Sequence, residues 1–263
     1  MTGESADVWI TPCWGTWVQD GMSATMLDRV TASRAYQHWH LAEEDAHRVP
    51  QDDVRRGAVM QRLWNAVDFR VRLLHDIYEL RRLSGVLGWE SEKPNLLEIL
   101  TRVGLVRPLA LRQLQRIRNT VEHADRGAPS HEECLNFIDI VWYFLRSTDL
   151  FTTRRILHLD LAHPTRDSET DRLFVSFDFE DQSWLPGVRG WLPQTAVSTV
   201  ENDHSLRIQL HKAPTVGGDS IYVSGVTVPG SPMLANLVSR YFLVDLPDSS
   251  RAVESAEEQP VSR

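Results

Sequence analysis

Residues 130–161 read SHEECLNFIDIVWYFLRSTDLFTTRRILHLDL, and the fold class turns on this stretch. In its first half Leu135, Ile138, Val141, Trp142 and Leu145 recur at three and four, the spacing of an amphipathic helix. Ser130 opens that helix and Glu133 stands three residues on, so hydroxyl and carboxylate can each cap the other's backbone N–H. After Leu150 the period falls to two. Leu157, Leu159 and Leu161 alternate with His158 and Asp160, as in a strand with one buried face. A chain that is helical up to this point and stranded after it belongs to the α+β class.

Upstream, the helical period extends back to about Ser23. Ser23–Arg48 carries Met26, Val30 and Trp39 at helical spacing and ends before Pro50. Asp52–Leu87 is long and periodic through Val59, Leu63, Val67, Val71 and Leu74. Shorter helices are predicted over Pro94–Val103 and Arg107–Asp125. Short connections between four or five helices suggest an up-and-down bundle. Downstream, strands are expected at Leu173–Glu180, Leu206–Leu210 and Ile221–Val228, with a hairpin at Val216–Asp219. Trp-Leu-Pro occurs at 184–186 and at 191–193, around Gly187 and Gly190, and reads as a loop between strands. A short helix is expected over Pro232–Arg240. The division is therefore an irregular segment 1–22 with short strands at Val8–Ile10 and Thr16–Gln19, a helical bundle 23–150, a small antiparallel β domain 151–246, and an acidic tail 247–263 expected to be disordered.

At 263 residues, with 42% hydrophobic and 24% charged residues, the composition is that of a soluble protein of one or two domains. Cys13 and Cys134 are too far apart for a CxxC zinc ribbon or redox pair. No apolar run approaches the roughly 18 residues of a membrane span. The N-terminus lacks a basic region followed by an apolar core, so a cytoplasmic protein is expected. No P-loop, GxGxxG, GxSxG or HExxH is present, and no cofactor is expected.

The net charge of −8 argues against a generally basic nucleic-acid binder. The distribution is uneven, however. Val54–Arg126 holds 14 Lys and Arg against 8 Asp and Glu. Arg102, Arg107, Arg112, Arg116 and Arg118 follow one another with no acid between Glu98 and Glu122. Such an asymmetry points to a local anion-binding surface. On an ideal helix Val106, Ala110, Leu114, Ile117, Val121 and Ala124 form one apolar stripe, with Arg112, Arg116, Asn119 and His123 on the opposite ridge. Arg118 sits at the flank with Glu122, its i+4 neighbour.

The segment Arg118-Asn119-Thr120-Val121-Glu122-His123 resembles the signature of the HEPN superfamily, the higher eukaryote and prokaryote nucleotide-binding domains. That signature is an Arg, four to six residues, then a His, usually with a polar residue directly after the Arg. Its setting late in a helical bundle, before a loop and one more amphipathic helix, is similar too. The resemblance covers about residues 52–148. Arg70–His75 and Arg126–His131 share the spacing, but the first has Val71 in second place and the second spans Gly127 and Pro129.

The resemblance implies a metal-independent endoribonuclease, cleaving RNA through attack of its own 2′-OH to leave a 2′,3′-cyclic phosphate. His123 would be the base or acid, since imidazole titrates at about pH 6.5. Arg118 would clamp the scissile phosphate, Asn119 would orient, and Arg112 and Arg116 would make further phosphate contacts. Arg118 and His123 lie about 140° apart on an ideal helix, and HEPN-like domains answer this by dimerising across facing motif helices. RNA, a second copy of the chain, and a cognate antitoxin or defence-system partner are the implied partners of a toxin or phage-defence effector. The alternative is a non-catalytic HEPN-like interaction module whose β domain binds a partner or ligand.

Two other groups were candidates. His40, Glu44 and His47 share a helix face, which reads as a solvated polar face and not a metal site. Trp184 and Trp191 could form an exposed recognition surface or pack within their loop.

Overall fold

The computed structural model describes residues 7–27, 33–48, 52–122, 128–163, 172–177, 184–231 and 233–242. Its helical part comprises α1 (Ser33–His47), α2 (Asp53–Tyr78), α3 (Leu80–Val86), α4 (Leu96–Arg102), α5 (Pro108–Glu122) and α6 (His131–Thr153). The caps follow the sequence. Asp52 accepts from Arg55 N–H at the start of α2, while Asn95 with Glu98 and Ser130 with Glu133 close full capping boxes on α4 and α6. The periodic run over 52–87 is two helices, because Glu79 takes a left-handed conformation (φ 44°) between α2 and α3. Helix α2 is the hub. It packs on α1, α5 and α6, burying Val59, Met60, Leu63, Val67 and Leu74.

Antiparallel strands make the rest: β1 (Asp7–Ile10), β2 (Val18–Met26), β3 (Arg154–Ala162), β4 (Arg172–Ser176), β5 (Gly187–Pro193), β6 (Val197–Ser198), β7 (Leu206–Leu210), β8 (Thr215–Gly217) and β9 (Ser220–Thr227). They form one sheet in the order β2-β3-β4-β5-β9-β7-β1-β6, with β8 continuing beside β9. The class is thus mixed α+β with an antiparallel sheet.

Several expectations are corrected. The short strands expected at Val8–Ile10 and Thr16–Gln19 are β1 and the first part of β2, but they are built into the sheet and do not lie in an irregular segment. Trp9 stands opposite both Arg207 and Ser198, so β1 is an interior strand between β7 and β6. Residues 23–26, read as the start of a helix, continue β2 along β3. Local spacing at Met26 suggested a helix, but the partner strand almost 130 residues away decides the backbone. Residues 187–193, read as a loop, are strand β5. Gly190 is needed there because a Cβ would come 2.0 Å from the carbonyl oxygen of Arg172 on β4. The acidic tail 247–263 lies outside the described residues.

A final helix, α7 (Leu234–Phe242), joins the sheet to the helices. Tyr241 accepts from the backbone N–H of Ile156, and its ring lies 4.4 Å from that of Phe177. Tyr78, at the end of α2, meets Tyr241 and Phe242 edge-on. Burial pushes the hydroxyl pKa values of Tyr78 and Tyr241 upward. Trp184 donates its indole N–H to Tyr78 O at 3.1 Å. It is therefore packed in the core and excluded from any recognition surface. One continuous apolar cluster runs through helices and sheet alike. Among the described residues no helix is long and apolar enough to cross a membrane.

Candidate functional site

Helix α5 carries the ridge picked out above. Pro108 is its first residue, a position where proline's fixed φ helps and its missing N–H costs nothing. Leu114 and Ile117 are fully buried, with Ala110 and Val121 partly buried against the core. This fixes the rotation of the helix. Arg112, Arg116, Arg118 and Asn119 consequently stand exposed. Helices α2, α4 and α6 are the main neighbours of α5, so the sheet leaves these side chains open. His123 and Ala124 lie outside the described residues, and the distance from Arg118 to the imidazole is not part of the geometry.

The described members of the ridge, and Arg118 at its flank, have distinct surroundings. Arg118 pairs through Nε with Glu122 Oε1 at 2.7 Å, both side chains 46% exposed. Its terminal nitrogens make no hydrogen bond to a described residue. Arg116 lies over the ring of Phe137 on α6, 5.6 Å from its centroid, and its NH2 is 3.5 Å from Glu133 Oε1. Glu133 itself is held below the usual carboxylate range, first by hydrogen bonds from Ser130 and then by Arg116. Arg112 and Asn119 have no charged partner among the described residues.

Two hollows flank the helix. One, of about 420 Å³, runs between α5 and α6 past Arg116, Phe137, Asp139 and Tyr143. It shares Gln113, Ile140 and Tyr143 with an apolar groove of about 780 Å³ that reaches Leu109 and Phe242. The other, of about 340 Å³, lies where the end of α5 meets the start of α2, between Thr120, Val121, Gly57 and Pro129. The ion pair of Arg118 lies outside all three. The groove was missed from the sequence because it needs two helices side by side. The one available signal was Tyr143, an aromatic off the core stripe of α6, which is 67% exposed.

The remaining candidates separate clearly. Burial pushes the Cys134 thiol up to about 11, so it is not a nucleophile at neutral pH. His40 Nδ1 lies 3.2 Å from Glu43 on the surface of α1. Among the described residues no three His, Cys, Asp or Glu side chains gather as a metal site. Arg70, the first residue of the set-aside Arg-x4-His segment, is fully buried. It pairs with Asp149 at 3.0 Å, donates to Leu145 O and to the hydroxyls of Thr148 and Thr152, and packs over Tyr36. Tyr36 in turn donates to Asp149, and burial together with that bond raises its pKa to about 12. This cluster ties α1, α2 and α6 together.

Compared with protein-family models, with characterised proteins and with solved structures, the chain matches none.

Proposed function

We propose that the chain is a metal-independent endoribonuclease of HEPN type, acting as a homodimer. Helices α2 to α6 would form the HEPN-like up-and-down bundle, and the motif helix would be α5. The observation that carries this reading is the open face of α5. Arg112, Arg116 and Asn119 form an exposed cationic and amide-bearing ridge, with Arg118 exposed at its flank, on an otherwise acidic chain. Such donors can hold a phosphate and stabilise charge on its equatorial oxygens.

In the reaction the RNA 2′-oxygen attacks its own phosphorus, and the bond from phosphorus to the 5′-oxygen breaks. His123 takes the 2′-OH proton, and an imidazolium returns a proton to the departing 5′-oxygen. The products are a 2′,3′-cyclic phosphate and a 5′-OH. Arg118 clamps the phosphate and Asn119 orients it, with Arg112 and Arg116 gripping its neighbours. The roughly 140° between Arg118 and His123 on one helix favours a site completed by a second copy. Leu109 and Tyr143, exposed beside the ridge at 61% and 67%, give that second copy apolar surface to cover. A toxin or phage-defence role in the cytoplasm, with an antitoxin or defence partner, belongs to this reading.

The pairing of Arg118 with Glu122 favours a second reading, a non-catalytic HEPN-like interaction module, because the carboxylate neutralises the clamp. Incubation of total RNA with purified protein in EDTA tests the two. Cleavage with cyclic-phosphate ends by wild type, lost in His123→Ala and Arg118→Ala, is expected. Absence of cleavage by a folded, dimeric wild type moves the assignment to the interaction module.

A further inference from the structure

Side chains of β4 and β5 alternate between buried and more exposed, and those of β9 do so from Tyr222 onward. Leu173, Val175, Val188, Leu192 and Val223 are buried on the inner face, so their neighbours stand on the outer one. The register sets Phe174 opposite Arg189, and Trp191 opposite Tyr222. On that face the Arg189 guanidinium lies 5.6 Å from the Phe174 ring centre. The Trp191 and Tyr222 rings are 5.4 Å apart at 64°. Lys212 Nζ sits 5.4 Å over the other end of the row, above Tyr222. The three rings are half-buried and the two cations exposed. Neither cation has an acidic partner among the described residues, and Asp160, opposite Phe174 on β3, marks the edge of the patch. Gly217 on β8 completes it. A Cβ there would come 2.9 Å from the Trp191 ring, so glycine lets the indole lie across the neighbouring strand.

We infer that this outer face binds single-stranded RNA, with bases stacking on Phe174, Trp191 and Tyr222 and phosphates meeting Arg189 and Lys212. Neighbouring strands are about 4.8 Å apart and same-face residues about 6.8 Å apart, so a diagonal of rings can take successive unstacked bases. Aromatic rings alternating with cations are what an unpaired strand needs: a π-face for each base and a positive charge for the backbone. A duplex hides its base faces and does not fit. A neutral ligand leaves the two cations, which have no acidic partner among the described residues, without a role. The choice of RNA over DNA rests on the ribonuclease reading; the stacking surface itself does not.

Fluorescence anisotropy of a labelled 2′-O-methyl oligoribonucleotide of about 12 nucleotides, within the site sizes of such surfaces, tests the inference without cleavage, since that strand has no 2′-hydroxyl to attack. Wild type is expected to bind this strand. Trp191→Ala and Tyr222→Ala should each weaken binding about five- to a hundredfold, the range for losing one base stack, with Trp191→Phe restoring most of it. Arg189→Ala with Lys212→Ala should flatten the salt dependence by a slope of about 1.4, at about 0.7 per single-strand phosphate contact. Far-UV circular dichroism of each variant confirms that it is folded. Equal affinity for a duplex, tighter binding to DNA of the same sequence, or affinity unchanged in the folded Trp191 and Tyr222 variants overturns the inference. No binding by a wild type that still cleaves RNA removes the sheet surface alone; binding by a wild type that does not cleave removes the nuclease alone.

Discussion

Arg70 on α2 and Arg118 on α5 each begin an Arg-x4-His segment, yet the fold sends them to opposite fates. Arg70 is fully buried among Asp149, Thr148, Thr152 and Tyr36. Its Nε and the Nδ1 of His75 are shielded from water with no hydrogen-bond partner among the described residues. Arg118 stands on the surface with one i+4 carboxylate. The spacing is the same, but the position of each arginine relative to its helix's apolar stripe differs. On α2, Arg70 falls in line with Leu63, Val67 and Leu74 and must enter the core. On α5, Arg118 lies beside the buried Ile117, away from the stripe. A short motif thus acquires meaning from the face it occupies. Removing a buried charge's partner costs stability, whereas removing an exposed one changes chemistry at the surface.

The widest separation is expected in activity. Arg118→Ala and His123→Ala should lower initial rates of RNA cleavage by about 10²- to 10⁴-fold, while thermal unfolding stays within about 0.5 kcal/mol of wild type. A stably folded Arg70→Lys that abolished cleavage would break the contrast. Arg70→Ala empties a fully buried site and takes one partner from half-buried Asp149, and should destabilise by about 2–5 kcal/mol in urea denaturation. Arg70→Met, which fills the volume without a charge, should cost less.

Smaller effects sharpen the picture around α6. Ser130→Ala removes the cap of that helix and should cost about 0.5–2 kcal/mol. The Glu133 carboxyl is lowered in the fold by Ser130. Its share of the stability is therefore present above the ordinary carboxylate range and lost as pH falls through the lowered value. Denaturation of wild type and Ser130→Ala at a series of acidic pH values should show the two curves converging as pH drops. The smallest effect is expected of Glu122→Gln, about 0.2–0.5 kcal/mol in stability. The same substitution frees Arg118 and should raise cleavage, or, on the interaction-module reading, leave RNA untouched.

How much of this was legible beforehand depended on the range of the interaction involved. The capping box at Ser130 and Glu133, the apolar stripe of α5 through Leu114 and Ile117, and the alternation of β3 and β7 all appear where the residues predict them. The exposed setting of Arg112, Arg116, Arg118 and Asn119 followed from that stripe. The break at Glu79 carried no glycine or proline to announce it, and the residue that Trp184 bonds when it packs, Tyr78, lies 106 positions away.

By itself, then, the sequence determined periods, caps and the faces of single elements, because these depend on residues within one or two turns of each other. The tertiary structure alone decided that β1 lies between β7 and β6, that Arg70 is an anchor and Arg118 a surface group, and that Phe174, Trp191 and Tyr222 share one face. Each of those outcomes depends on strands or helices far apart in the chain burying their apolar sides together, and no local pattern records which partner will do so.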